Sequence, residues 1–291
     1  MRRRTFLKSG IAFSALSSTP AWSGNSTVPK TLWPFYAFDN GVGRGVWSAE
    51  KQAGLLKQLG YDGMAYNFTT NKDLESWMTV YDAMHLDISS LYIHTFPKQV
   101  TGKQYPADLK ATVNLLKGRG TKLWITFRET KDTLDHDATC IRIAREIGDC
   151  AAEQGVKVCI YPHANFYVEK ALDSLRIAQQ AKHPNVMPSY NLCHEFLTPS
   201  GPKTEQAALE TLRQVAPHAG MVSINGVALA SKRYIVPLHE GDLDMKTFLK
   251  ELKRSGYRGA VGHQFYNIKG DPEVILKAAI ETWRTLQPES L

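Results

Sequence analysis

Residues 141–163 read IRIAREIGDCAAEQGVKVCIYPH, and this stretch decides the fold. The apolar residues of its first half recur with the three- and four-residue spacing of one helical face: Ile141, Ala144, Ile147 and Ala151. Gly155 then stands where a helix C-terminus favours a left-handed residue, and residues 156–161 form a short, largely apolar run. The stretch therefore predicts one α-helix that turns back into one β-strand.

The same unit recurs along the chain, with glycine between an amphipathic helix and a short apolar run. The glycines are Gly60, Gly120, Gly155, Gly220 and Gly256. The pattern predicts strands near 31–38, 62–66, 87–93, 122–127, 157–161, 186–190, 220–224 and 259–264. It predicts helices near 48–59, 73–84, 106–118, 136–154, 166–182, 204–217, 245–256 and 272–287.

Eight such units predict an α/β fold, a single-domain (β/α)8 TIM barrel over residues 24–291. A doubly wound open sheet is the alternative. That fold normally has fewer units, and no Gly-x-Gly-x-x-Gly follows the first predicted strand.

The composition of the 291 residues is that of an ordinary globular protein. Hydrophobic residues make up 43% and charged residues 22%, which excludes disordered and fibrous classes. No apolar run reaches the roughly 18 residues that a membrane span needs. The 4 cysteines are too few for a disulfide scaffold, and we expect all of them to be free packing residues.

The N-terminus predicts an export signal. Four of the 7 net positive charges lie in residues 1–23, which leaves too few elsewhere to indicate a nucleic-acid partner. Residues 3–8, Arg-Arg-Thr-Phe-Leu-Lys, resemble the twin-arginine signal, and small residues surround Ala21-Trp22-Ser23-Gly24, a candidate cleavage site. We expect residues 1–23 to be a signal peptide and the protein to be periplasmic or extracellular. A basic arm for nucleic acid or a membrane surface is the alternative.

The ends of the predicted strands carry polar and aromatic side chains, and this is where the active site of such a barrel lies. Three histidines from different strands, His94, His163 and His194, are expected to converge there. Each of them could instead be a structural residue. The expected substrate-binding residues are His94, Tyr66, Asn191, Asn225, Gln264 and Tyr266.

Several motifs on successive strands carry a family resemblance. They are Tyr161-Pro162-His163, Asn191-Leu192-Cys193-His194, Ile224-Asn225-Gly226, residues 237–244 (PLHEGDLD) and Gly256-Tyr257-Arg258-Gly259. In this order and spacing, residues 31–287 resemble the sugar phosphate isomerase/epimerase proteins with a xylose isomerase-like barrel. The resemblance implies carbohydrate substrates. It also implies a divalent metal held by two glutamates, an aspartate and a histidine from the last four strands.

The chain departs from that family pattern at all four ligand positions. They carry neutral side chains: Tyr161, Asn191, Ser223 and Gln264. Because Mg²⁺ and Mn²⁺ prefer carboxylates, we predict no metal ligands and no cofactor at these positions. A divalent metal stays open because the family commonly uses one. The alternative site is His163 and His194 with Glu129 or Glu195, which would suit a softer ion such as Zn²⁺ or Co²⁺.

The reaction that the resemblance implies begins with removal of a proton beside a carbonyl. His163 or His194 is the expected base, and Arg128 is expected to stabilise the enolate oxygen. Glu129 is either a second acid/base or the salt-bridge partner of Arg128.

The primary hypothesis is therefore a sugar isomerase or epimerase acting on an unphosphorylated sugar or keto-sugar. A lyase that cleaves a keto-glycoside by β-elimination and a non-catalytic carbohydrate-binding barrel are the alternatives. The expected partner is a small-molecule carbohydrate, with no nucleic acid and no membrane span; the oligomeric state stays open.

Overall fold

The computed structural model describes residues 31–98, 104–128 and 135–287. The expected signal peptide, residues 1–23, lies outside the described residues, so export stays a prediction. Glu129 also lies outside them. Among the described residues, no helix has the length and apolar character that a membrane crossing requires.

Eight parallel strands form a closed barrel in the order β1-β10-β7-β6-β5-β4-β3-β2. They are β1 (Phe35–Phe38), β2 (Gly63–Asn67), β3 (Asp87–Thr95), β4 (Lys122–Phe127), β5 (Val158–Ile160), β6 (Val186–Asn191), β7 (Met221–Ile224) and β10 (Val261–His263). Closure is direct, because Tyr36 of β1 lies opposite Gly63 on one side and Gly262 on the other. The predicted (β/α)8 barrel is confirmed, and the open-sheet alternative is wrong.

The helices surround the barrel close to their predicted positions. They are α1 (Ala49–Leu59), α2 (Asn71–Ala83), α3 (Leu109–Leu115), α4 (Asp137–Ala152), α5 (Ala171–Ala181), α6 (Leu192–Leu197), α7 (Glu205–Val215), α8 (Met245–Arg254) and α9 (Pro272–Leu286). Side chains that accept a backbone N–H begin several of them, as Ser48 does for α1 and Asp244 for α8. The sequence patterns missed α6 and the antiparallel hairpin of β8 (Gly226–Ala228) and β9 (Arg233–Val236).

Apolar side chains fill two layers. One lies between strands and helices, and the other fills the barrel interior with Tyr36, Phe38, Ala65, Trp124, Cys159, Tyr161 and Met221. Gly262 is required in the interior layer, because a Cβ there would lie 2.5 Å from the Tyr36 ring. All four cysteines are free, as expected.

One buried histidine in the outer layer makes stability depend on pH. His263 stacks on Phe265 with ring centroids 4.9 Å apart, and neither ring nitrogen has a hydrogen-bond partner among the described residues. Burial lowers its pKa from 6.5 to about 3, so the unfolded chain takes up this proton near pH 6.5 while the folded chain does not. Stability is therefore lost as pH falls below 6.5.

We expect wild type to lose about 2 kcal/mol more than His263→Leu between pH 7 and pH 5. Urea unfolding of both proteins at the two pH values measures this difference. Equal losses in the two proteins would show that His263 is protonated in the folded state.

Candidate active site

A cleft of about 680 Å³ opens where the barrel strands end in their following loops. Seven of the residues predicted for the site line it: Tyr66, His94, Arg128, His163, His194, Gln264 and Tyr266. Phe38, Tyr92, Trp124 and Phe166 give it aromatic walls. Ile235 of the β8–β9 hairpin lines it too. An aromatic cleft with a few polar groups is the usual form of a small-molecule site.

Two of the lining imidazoles lie next to each other. His163 follows β5 and His194 lies in α6, and their ring centroids are 4.1 Å apart. Phe166 also stacks on His163, at 4.1 Å and an interplanar angle of 21°. The convergence expected from the sequence is thus present, and the Phe166 ring contacts the third histidine, His94, as well.

The backbone of Ala164 gives the two imidazoles opposite tautomers. Its carbonyl oxygen lies 2.8 Å from His163 Nδ1, so that nitrogen donates and the neutral ring keeps its lone pair on Nε2. The N–H of Ala164 lies 3.3 Å from His194 Nδ1, so that nitrogen accepts and the neutral ring carries its proton on Nε2. His194 Nε2 is buried without a partner among the described residues. The pair therefore offers one acceptor nitrogen and one donor nitrogen.

Burial keeps these histidines neutral. It lowers the pKa of His163, and the neighbouring positive charge of Arg128 lowers it further. Burial lowers the pKa of His194 well below its usual value, and it lowers that of His94 to about 4. His94 Nδ1 also lies 2.9 Å from the hydroxyl of Thr126. A neutral imidazole can accept a proton, so this environment suits a base.

Two charged groups that were not predicted also line the cleft. Asp39 directly follows β1 and is buried, and it is the one carboxylate among the described residues of the lining. It accepts a hydrogen bond from Arg44 Nε at 2.9 Å and one from the N–H of Asn67 at 2.8 Å. Burial raises the pKa of Asp39, and Arg44 opposes that shift. The position of Asp39 at a strand end was the signal available in the sequence.

Three of the four residues at the family's metal-ligand positions already make side-chain hydrogen bonds, and the fourth, Ser223, has a buried hydroxyl with no partner among the described residues. Asn191 Nδ2 donates to the Tyr161 hydroxyl, and the Cys193 thiol lies 3.0 Å from Asn191 Oδ1. Gln264 Oε1 accepts from Asn40 Nδ2 at 2.8 Å. Burial raises the pKa of Tyr161 well above 10, so its phenol stays neutral. Among the described residues, no three His, Cys, Asp or Glu side chains are grouped to hold a metal ion. These residues do not fit the family metal.

Three residues that were predicted to bind substrate or a metal ion do not line the cleft and make other contacts. Asn191 is buried behind the cleft lining, and Asn225 Nδ2 donates to the carbonyls of Gly226 at 2.6 Å and Tyr234 at 2.8 Å. Asn225 Nδ2 thus fixes the β8–β9 hairpin. Neither asparagine lines the cleft, and their contacts with substrate stay a prediction. Glu195, a member of the alternative zinc site, accepts from the Ala171 N–H at 2.5 Å and caps α5 instead.

The side chains that line the cleft predict activity without added metal. Treatment with EDTA followed by gel filtration is expected to leave turnover within about twofold of the untreated protein, because the described cleft holds too few anionic ligands for a hard dication. The check is kcat before and after treatment, with metal content measured by elemental analysis. Loss of turnover that Mn²⁺ or Zn²⁺ restores would contradict it.

The family model of the xylose isomerase-like TIM barrel matches residues 53–286, so the chain belongs to this family. No curated protein sequence matches it significantly. Among solved structures, it is similar to the 3-keto-D-glucoside 4-epimerase from E. coli, with a TM-score of 0.69, 12% identity and coverage of 87% of this chain and 99% of that one.

Two other solved structures are similar to the chain. The D-allulose 3-epimerase from Methylomonas sp. in complex with D-allulose has a TM-score of 0.69, 16% identity and coverage of 88% and 98% of the two chains. A xylose isomerase-like TIM barrel protein from Mycobacterium smegmatis in complex with magnesium has a TM-score of 0.67, 18% identity and coverage of 89% and 98%. At these identities the likeness establishes the fold.

Proposed function

We propose that this chain is a sugar-modifying enzyme, an isomerase or epimerase that moves a proton beside the carbonyl of a sugar or keto-sugar without a metal. The observation that carries the proposal is the pair of adjacent, neutral imidazoles that Ala164 holds in opposite tautomers. A proton transfer beside a carbonyl needs one group to take the proton and one to stabilise the oxygen. His163 and His194 meet these two needs.

The lone pair of His163 Nε2 removes the proton from the carbon beside the carbonyl. The electron pair of the broken C–H bond moves into a C=C bond, and the carbonyl π electrons move to the oxygen. His194 Nε2–H donates a hydrogen bond to that oxygen. The bond gives this buried nitrogen the acceptor that it lacks among the described residues. A second acid, for which Glu129 is the candidate, returns a proton to the other face of the same carbon and gives the epimer. Return of the proton by His163 to the former carbonyl carbon, while the proton of the adjacent hydroxyl passes to the enolate oxygen, gives the isomer.

Arg128 is the proposed electrostatic partner of the enolate. It stands at the end of β4 on the cleft wall, close enough to His94 and His163 for its charge to lower the pKa of both. A guanidinium is permanently charged and donates in a fixed fork, so it can stabilise an oxyanion where relatives use a dication. Glu129, the next residue, stays a candidate second acid/base.

The names of the similar structures support a carbohydrate substrate. One is an epimerase of a 3-keto-D-glucoside and another an epimerase of D-allulose, both unphosphorylated sugars. The expected export signal favours the same class of substrate, because sugar phosphates are intracellular metabolites. Free keto-sugars and keto-glycosides are therefore the first substrates to test.

The test is to incubate EDTA-treated protein with D-allulose, D-fructose, 3-keto-D-glucose and 3-keto-cellobiose and to follow the products by NMR. Formation of an epimer or isomer supports the proposal. Release of free glucose from 3-keto-cellobiose with an unsaturated keto-sugar supports the lyase, because β-elimination starts from the same enolate. Sugar binding without any turnover supports a non-catalytic barrel and contradicts the proposal.

The decline of kcat/KM at low pH reports the protonation state of His163. The base acts when it is deprotonated, and its pKa is lowered from 6.5, so kcat/KM is expected to stay constant as pH falls to 6.5 and to decline only below it. Initial rates between pH 4.5 and pH 8 measure this decline. A decline centred at pH 7 or above would show that another group is the base.

A further inference from the structure

A second cavity of about 450 Å³ adjoins the proposed active site. It shares four lining residues with the main cleft, Asp39, Arg44, Tyr66 and Asn67. The two cavities therefore adjoin, and the shared residues form a polar boundary between them. Each volume lies within the ~300–1,000 Å³ of small-molecule pockets.

The walls of this second cavity combine aromatic faces with polar edges. Trp47 and Trp77 are half-buried and line it, and Tyr66 packs against Trp77 with ring centroids 5.6 Å apart. An indole face provides a flat apolar surface for the C–H face of a pyranose ring. Such a surface beside hydroxyl-binding groups is suited to a sugar.

The loop between β1 and α1 fixes Trp47 in this wall. The N–H of Trp47 donates to the carbonyl of Gly43 at 2.8 Å, and Gly43 has a φ of 74°. A Cβ at Gly43 would lie 2.5 Å from the Trp47 ring, so only glycine permits this approach. Lys51 Nζ lies over the same ring, 4.0 Å from its centroid, so a sugar would contact the part of the indole that Gly43 and Lys51 leave uncovered.

One polar side chain in the lining lacks a partner. Gln52 is 1% exposed, and its Oε1 accepts no hydrogen bond among the described residues. A buried carbonyl oxygen without a donor costs about 1–3 kcal/mol, and a ligand hydroxyl would remove that cost. Asp73 adds a second acceptor, since the hydroxyls of Thr69 and Thr70 both donate to its Oδ2 and not to Oδ1.

We propose that this cavity is a second sugar subsite, so that the substrate is a glycoside whose keto-sugar ring lies beside His163 and His194 while its other sugar ring stacks on Trp47 and Trp77. This inference rests on the proposed function. The glycosidic oxygen then crosses the boundary that Asp39 and Arg44 form, since both residues line both cavities. A monosaccharide would fill only the main cleft.

Calorimetric binding of 3-keto-D-glucose, 3-keto-cellobiose and 3-keto-maltose to His163→Ala, which blocks turnover, tests the subsite. At least one disaccharide is expected to bind about tenfold more tightly than 3-keto-D-glucose. Trp47→Ala and, separately, Gln52→Leu in the same background are expected to lower this affinity ratio about five- to tenfold. Gln52→Leu removes an amide whose buried oxygen has no partner among the described residues, so urea unfolding should show no loss of stability in this variant.

The outcomes separate this inference from the proposed function. If 3-keto-D-glucose binds or turns over but neither disaccharide binds more tightly, the second subsite is wrong and the proposed function stands. An unchanged affinity ratio in both variants would also overturn the subsite. If none of the three sugars binds while D-allulose or D-fructose turns over, the subsite is wrong and the proposed function stands. If no sugar of the screen binds or turns over, both fall.

Discussion

His163→Ala is expected to lower kcat by about 10²–10⁴-fold, because the variant lacks the nitrogen that removes the proton. Sugar affinity is expected to change by less than about tenfold, since Phe166, Tyr92 and the other walls of the cleft stay in place. Steady-state kinetics and calorimetry on the substrate found in the screen measure the two effects. The split between kcat and affinity is the signature of a group that acts in the transition state.

The matched control is His218→Ala, which removes an exposed imidazole that precedes β7 at the opposite end of the barrel. It should retain wild-type kcat. His194→Ala should lower kcat less than His163→Ala, by about 10–10³-fold, because it removes a donor rather than the base. Equal kcat in wild type and His163→Ala would place the base elsewhere, with Glu129 the next candidate.

Arg128→Met is expected to lower kcat by about 10²–10³-fold, because it removes the permanent positive charge on the cleft wall. Stability should change by less than about 0.5 kcal/mol, since the Arg128 side chain is exposed. The same substitution removes a cause of the lowered pKa of His163, so the decline of kcat/KM at low pH should move to higher pH. Kinetics across pH and urea unfolding measure these effects.

Arg258→Met provides the control for a lost surface charge, as Arg258 is exposed and precedes β10 at the opposite end of the barrel. Arg128→Lys should restore part of kcat, since it keeps the charge but loses the forked donors. A fall in stability without a fall in kcat would make Arg128 a structural residue. An unchanged decline of kcat/KM at low pH would show that the charge of Arg128 does not lower the pKa of His163.

The fold could be predicted because its signals are local and repeated. Glycine at 60, 155 and 256 does adopt a positive φ within three residues of a helix end, and buried strands follow as expected. The β8–β9 hairpin was missed because its two strands lie outside the barrel and outside the repeated unit of helix, glycine and strand. The short helix α6 was missed because it begins directly after β6 without a turn signal.

The site was predicted less completely, because side-chain partners depend on contacts between distant segments. His163 and His194 were found since each follows a strand, but the contact between their rings depends on the turn of α6. Asn225 lies at a strand end too, yet the hairpin carbonyl of Tyr234 occupies its amide. Asp39 and Arg44 were missed because their pairing depends on the tight loop that Gly43 and Gly45 allow.

Hydrogen exchange at the substrate carbon tests most directly the claim that an imidazole removes a proton without a metal. EDTA-treated protein is incubated in D₂O with the sugar identified by the screen, and deuterium at the carbon beside the carbonyl is followed by NMR. The account predicts that EDTA-treated wild type incorporates deuterium into the sugar and that EDTA-treated His163→Ala does not. Incorporation that requires an added divalent ion, or that continues in His163→Ala, would contradict it.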